Sequence, residues 1–215
     1  MAVLEKSKIS FDERVFGVMP GRPLHLSVRP ISVNEEFLDG TAIHKELEME
    51  LDFGEETAAL PFIAVIPKKA IPCPAVIVIS EEKGVNSSVK EWFDKGYAVF
   101  SLYYKNISEN NGDFKSGISA YIAPSRRKKL SAGKVTVWAW AAIRALEYAS
   151  DTDEIDESKI GVTGKGIFAL SAMLAGKVAE GFNFISPVDI PKIGNAFRES
   201  YSHLFSPEFV KNQMF

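Results

Sequence analysis

The sequence predicts an α/β fold, a single domain built on a mixed, mostly parallel sheet with an N-terminal antiparallel hairpin. Three observations lead there. At 215 residues the chain suits one α/β domain better than two. From residue 75 onward strand patterns alternate with helix patterns, which is how a parallel sheet is assembled. Ahead of them come two strand patterns in succession, the mark of a hairpin. Hydrophobic residues make up 46% of the chain, enough apolar material for a sizeable core.

The elements follow in order. Residues 1–40 read as irregular, with turn signals at Pro20-Gly21 and Asp39-Gly40, and the domain proper reads as 41–215. His44–Leu51 alternates, with Leu47, Met49 and Leu51 on one face. Leu60–Ile66 is a second strand, stopped by Pro67. Ala75–Ile79 is a continuous β-branched run, as in a strand buried on both faces. Val89–Lys95 reads as a short amphipathic helix and Tyr97–Leu102 as another buried strand. Residues 103–131 are rich in Asn, Gly, Ser and Pro and read as a long loop. Trp138, Ala141, Ala142, Ala145, Leu146 and Ala149 recur at helical spacing, and the acidic stretch Asp151–Glu157 ends that helix. Lys159–Thr163 is a short strand, and Gly164-Lys165-Gly166 turns tightly into the helix Ile167–Val178, which is apolar on nearly every side. Phe182–Ile185 is a last strand, followed by loop and short helix to Phe215. A sheet ending there has an apolar edge that the tail or a second copy must cover, so a homodimer through that edge is an expected form.

Composition narrows the function. The formal net charge is −3, with 25% charged residues, so neither a nucleic-acid nor a membrane partner is expected. The short run Arg126-Arg127-Lys128-Lys129 reads as a solvated loop. The single cysteine, Cys73, excludes an internal disulfide and has no histidine near it in sequence, so it reads as structural. Charges at Glu5, Lys6 and Lys8 stand where the apolar part of a secretion signal would begin, and no apolar run approaches the ~18 residues that span a bilayer. A cytoplasmic location is expected, with no cofactor and no metal.

Several segments together resemble one family. They are the leading hairpin and buried strand, GYAVFSLYYKNISENNGDF (96–114), VWAWAAIRALEYASDTDEIDESKIGVTG (137–164) and SHLFSPEF (202–209). Over roughly residues 33–212 the chain resembles the bacterial carbohydrate esterases of the α/β-hydrolase superfamily, the acetyl-xylan-esterase-like and glucuronoyl-esterase-like proteins. Its most specific parts are Trp138-Ala139-Trp140 with Arg144, the acidic turn, and Ile160–Gly164. The resemblance implies a three-layer α/β-hydrolase sandwich and a serine ester hydrolase. In such enzymes a strand ends in G-x-S-x-G, the serine sits on a strained turn, and two backbone N–H groups form the oxyanion hole.

On that pattern Gly164 is the first glycine, Gly166 stands at the serine and Phe168 at the last glycine. Glycine has no atom that can attack a carbonyl. The family's acid follows the next strand, where Pro187-Val188-Asp189 makes Asp189 a remnant acid or a turn residue. Its histidine comes near the end of a longer chain, after two further strands, which implies a shortened domain lacking the C-terminal strands. A general base must lie within about 2.6–3.2 Å of the proton it takes. His25 falls in the irregular segment, His44 opens an edge strand, and His203 sits in a stretch resembling a structural part of the family, so none is placed as a base. Ser171 is expected to be packed and bonded to a carbonyl of the preceding turn. Ser80 ends the buried strand near the oxyanion groups and is a binding candidate, while Ser125 and Ser131 have no base beside them.

Losing a triad serine or histidine costs on the order of 10⁶-fold in rate. The expectation is therefore a degenerate, non-catalytic relative of the carbohydrate esterases with a ligand-binding, assembly or regulatory role. Its ligand would be a small molecule or carbohydrate, with Ser80, Gly164, Lys165 and Gly166 as candidate binding residues. Two alternatives stand beside it. One is an active hydrolase with a non-standard or partner-supplied site. The other is nucleotide or anion binding at Gly164-Lys165-Gly166, since G-x-G-x-x-A followed by Asp189 fits a dinucleotide fingerprint and helix N-terminal amides favour an anion.

Overall fold

The computed structural model describes residues 10–69, 71–123 and 131–192. Its middle layer is a 7-stranded sheet in the order β1-β2-β3-β5-β4-β6-β7. β1 (His25–Phe37), β2 (Ala42–Asp52) and β3 (Thr57–Pro67) form an antiparallel meander. β4 (Cys73–Ser80), β5 (Ala98–Tyr103), β6 (Ile155–Lys165) and β7 (Phe184–Val188) run parallel to one another. Helix α1 (Phe11–Phe16) precedes the sheet, and α2 (Ser87–Asp94) lies on one face. The short helices α3 (Tyr104–Ile107) and α4 (Ser119–Ile122) interrupt the stretch expected as a plain loop. Helices α5 (Lys134–Ser150) and α6 (Ile167–Val178) cover the other face. This is the expected three-layer α/β sandwich.

The sheet has one strand more than the sequence suggests. Residues 25–37, expected as irregular backbone, form β1 and make it the outer strand, so His44 lies one strand in from the edge. The reason is local. HLSVRPISVNEEF alternates only briefly, at Leu26 and Val28, and most of the rest faces solvent. Its pairing with β2 also shifts register between Pro30 and Ser32 and between Asn34 and Phe37. Proline and bulges are the devices that blunt an edge against pairing, and they erase the alternation that reveals a strand.

The main core lies under α5 and α6. Leu47, Met49 and Leu51 from β2 and Leu60 and Phe62 from β3 meet the fully buried Trp138 and Trp140 of α5. Both indole N–H groups find carbonyls, Trp138 at Ser108 (2.9 Å) and Trp140 at Gly21 (3.0 Å). Arg144 is buried on the same helix, paired with Glu147 at 2.8 Å and placed over the Trp140 ring, and burial pulls its pKa down. Cys73 is buried, and burial pushes its thiol pKa up, as a structural cysteine requires. A smaller core of Val76, Val78, Val89 and Val99 sits under α2.

The two halves of the sheet meet at a short seam. β3 pairs with β5 only through Ile63, Ala64 and Val65. Below that point β3 continues without a strand on the β5 side, and Pro61 sits there, where a missing N–H breaks no ladder bond. The Pro61 carbonyl instead accepts from Asn106 Nδ2 at 3.0 Å. On the α5 side the Tyr148 ring bridges the seam, with its centroid 5.8 Å from Phe62 and 6.0 Å from Phe100.

The chain leaves β4 for β5 on one side and returns from β5 to β6 on the other. Such a reversal opens a crevice beyond the carboxyl ends of the strands. Among the described residues no helix is long and apolar enough to cross a membrane.

Candidate functional site

The reversal point holds a cavity of about 310 Å³. Its floor is Val78, Thr163 and Ser186, which neighbour one another across β4, β6 and β7. Its rim is formed by the residues after β4, by the start of α2 and by Lys165.

The turn from β6 into α6 is a sharp strand-to-helix elbow centred on Gly166. Gly166 has φ 60° and ψ −124°, outside the basins open to ordinary L-residues. A Cβ built at Gly166 meets nothing within 4 Å, so the position opens onto free space. Gly164 has the opposite constraint. A Cβ there would come within 2.5 Å of the Phe168 carbonyl oxygen, because the first turn of α6 presses against the end of β6. Phe168, at the last glycine of the motif, is buried against Trp138 and Tyr104, with centroids 4.7 and 5.2 Å away.

The amides expected to be free at this turn are partly engaged. The Gly166 N–H donates to the Val188 carbonyl at 2.9 Å, since β7 runs beside the end of β6. Lys165 pairs with Asp189 at 3.3 Å, both side chains well exposed. The structure thus brings Lys165 and Asp189 together, with Asp189 in a turn at φ 49°. An anion at this turn would have to displace both partners.

Ser80 is held rather than offered. Its hydroxyl donates to the Glu82 carbonyl (2.8 Å) and accepts from the Glu82 N–H (3.2 Å) and Asn86 Nδ2 (2.8 Å). That exhausts the single donor and both lone pairs of a hydroxyl. It also engages the Glu82 amide, one of the loop N–H groups bordering the cavity. Asn86 ties the whole turn, also reaching the Glu82 and Gly84 carbonyls and capping α2 through Oδ1.

The remaining candidates do not converge on the elbow. His25 and His44 lie on β1 and β2, five and four strand spacings from β6. At ~4.8 Å per spacing that is roughly 24 and 19 Å, beyond the reach of a general base. His44 instead packs on the Phe37 ring at 5.1 Å. Ser171 is fully buried within α6, and its hydroxyl has no partner among the described residues, so the expected bond to the preceding turn is not made. It serves there as a small residue in a helix enclosed by its neighbours. Ser125, the run Arg126–Lys129, His203 and the tail from 193 fall outside the described residues.

Sequence reasoning missed the α2 side of the cavity. Trp92 contributes an aromatic wall and packs on Tyr97 and Phe184. Lys95 lies over the Trp92 ring and is paired with Glu91 at 2.7 Å. Glu81 and Glu82 also line the cavity and form no ion pair with the described residues. The signal in the sequence is Asn86-Ser87-Ser88 ahead of an amphipathic run, a helix cap that places Trp92 one turn beyond it. Among the described residues no cluster of three or more His, Cys, Asp or Glu is arranged to hold a metal ion.

The sandwich and its elbow define a protein of the α/β-hydrolase type. The chain belongs to the glucuronyl esterase family, since the family profile described as glucuronyl esterase, fungi, matches residues 50–192. Among solved structures it is similar to a glucuronoyl esterase from Solibacter usitatus, at 22% identity and a TM-score of 0.69, covering 81% of this chain and 54% of that one. A glucuronoyl esterase from Teredinibacter turnerae is also 22% identical, with a TM-score of 0.61 over 79% of this chain and 47% of that one. The glucuronoyl esterase catalytic domain from Hypocrea jecorina is 24% identical, with a TM-score of 0.56 over 79% and 42%. The chain thus spans about half the length of these structures. No curated protein sequence matches it.

Proposed function

We propose that this chain is a non-catalytic member of the glucuronyl esterase family that binds a neutral, hydroxyl-rich ligand, such as a sugar residue, in the crevice beside the elbow. The observation that carries the reading is Gly166. The backbone of the turn is in place and the space in front of it is open, yet the position carries no side chain that can attack. The nearby hydroxyl, Ser80, has every donor and acceptor engaged.

Charge favours a neutral ligand. Both lysines at the cavity are already paired, while Glu81 and Glu82 form no ion pair with the described residues. A glucuronate carboxylate would meet net negative charge there. Sugar hydroxyls would meet carboxylates, the Thr163 and Ser186 side chains and one edge of Trp92.

The test has two arms. Benzyl glucuronate ester is expected to be hydrolysed at the background rate. Turnover above background that a Ser80→Ala substitution removes would overturn the non-catalytic half. Titration with methyl xyloside, followed by NMR, is expected to move the Trp92 indole signal, with glucuronate weaker. An indole signal that no sugar moves would overturn the binding half.

A further inference from the structure

A second cavity, of about 260 Å³, lies on the same sheet face as α2 but over the seam between β3 and β5. Its floor continues the row under the first cavity. Val78 of β4 is beside Ser101 of β5, Ser101 beside Ile63 of β3, and Ile63 beside Glu46 of β2. The segment after β4 separates the two spaces, with Glu81 and Glu82 facing the first and Lys83 and Gly84 the second.

The chemistry here differs from that of the crevice. Ile31, Pro61, Ile63 and Tyr103 make the lining mostly apolar. Ile31 is 51% exposed beside this space. In the middle of the floor sits Ser101. It is only 4% exposed and lines the cavity, so its hydroxyl is open to what fills that space. A ligand that excludes water from this hydroxyl without bonding to it would leave a costly unmade hydrogen bond. Glu48 is paired to Arg29, and Glu46 and Lys83 also line the wall.

We infer that this cavity is a binding site for a compact, uncharged ring compound, aromatic or alicyclic, that carries one hydrogen-bonding group. The ring fills the apolar space over Ile63 and Pro61, and its polar group meets the Ser101 hydroxyl. A purely hydrocarbon ligand would strip water from Ser101 and return nothing. An anion would meet Glu46 and Glu48 in the lining, against Lys83 and the already paired Arg29. The site is separate from the elbow and does not depend on the reading given for the crevice.

The test is a titration of the intact chain with 4-ethylphenol and with ethylbenzene, read by NMR at the Ile63 methyl groups. The wild-type protein is expected to bind the phenol about five-fold more tightly, the equivalent of one net hydrogen bond. Ser101→Ala is expected to remove that difference while both probes still bind. Ile63→Trp is expected to fill the space and abolish both, with the circular dichroism spectrum confirming that each variant is folded. Failure of either probe to perturb Ile63 in the wild type overturns the site. So does a phenol preference that survives Ser101→Ala, and so does binding that survives Ile63→Trp in a folded protein. Should one variant fail to fold, the wild-type preference and the other variant still decide the matter.

Discussion

Gly166 holds a backbone conformation that a side chain resists. Glycine adopts it without that strain. Gly166→Ser is expected to lower stability in urea unfolding by about 1–2 kcal/mol, entirely from the backbone, because the added Cβ meets no neighbour. The variant is not expected to gain ester turnover, since neither described histidine is within reach. A second residue-scale effect concerns Glu154. Its hydrogen bond from Lys45 at 2.8 Å holds its pKa below the usual carboxylate range, against the opposing effect of burial. A depressed carboxylate contributes stability above its unfolded pKa, near about 4.3, and that contribution is lost as pH falls through the folded value. Thermal melts taken down from about pH 6 should therefore fall more steeply for the wild type than for Lys45→Met. For this partly exposed pair the difference is about 0.5–1 kcal/mol. The position of Gly166 was legible in the sequence because a local motif and a helix start mark it. The bond from its N–H to Val188 was not, because that depends on the register of β6 against β7.

At the scale of elements, the stretch between β5 and α5 is organised by one lysine. Lys134, the first residue of α5, donates to the Ser108 hydroxyl at 2.6 Å and to the Asp113 carbonyl, and lies 4.1 Å from the Phe114 ring centroid. The Ser108 hydroxyl in turn donates to the Ser119 hydroxyl at 2.8 Å. Composition made this segment look like loop, since Asn, Gly and Ser dominate it. Its order comes from contacts with the helix that follows it, which composition does not reveal. Lys134→Met is expected to leave the global unfolding transition nearly in place while amides of 108–119 exchange about ten-fold faster, a local opening that hydrogen-exchange mass spectrometry resolves. β1 escaped notice for a related reason. An edge strand interrupted by Pro30 and register shifts keeps only a short alternation, at Leu26 and Val28, whereas the buried runs of β4 and β5 announced themselves.

For the whole molecule, the unequal pairing of the strands matters most. β2 and β3 are matched along eleven residue pairs, β3 and β5 along three. The antiparallel meander and the parallel half are therefore each better bonded within themselves than to one another. Tyr148 offsets part of that weakness by touching Phe62 on one side and Phe100 on the other. Tyr148→Ala is expected to cost about 2–4 kcal/mol and to let the β1–β3 amides exchange as a group ahead of β4–β6. Simultaneous exchange of both halves would show that the sheet opens as one unit.

The short pairing between β3 and β5 also says how the molecule would behave as a mechanical object. A sheet under load parts along the line with the fewest bonds to break, and here that line runs between Ile63 and Ser101. The cavity over those two residues straddles it. A ring lodged there would act as a staple, and its occupancy could be read from the force needed to pull the meander away.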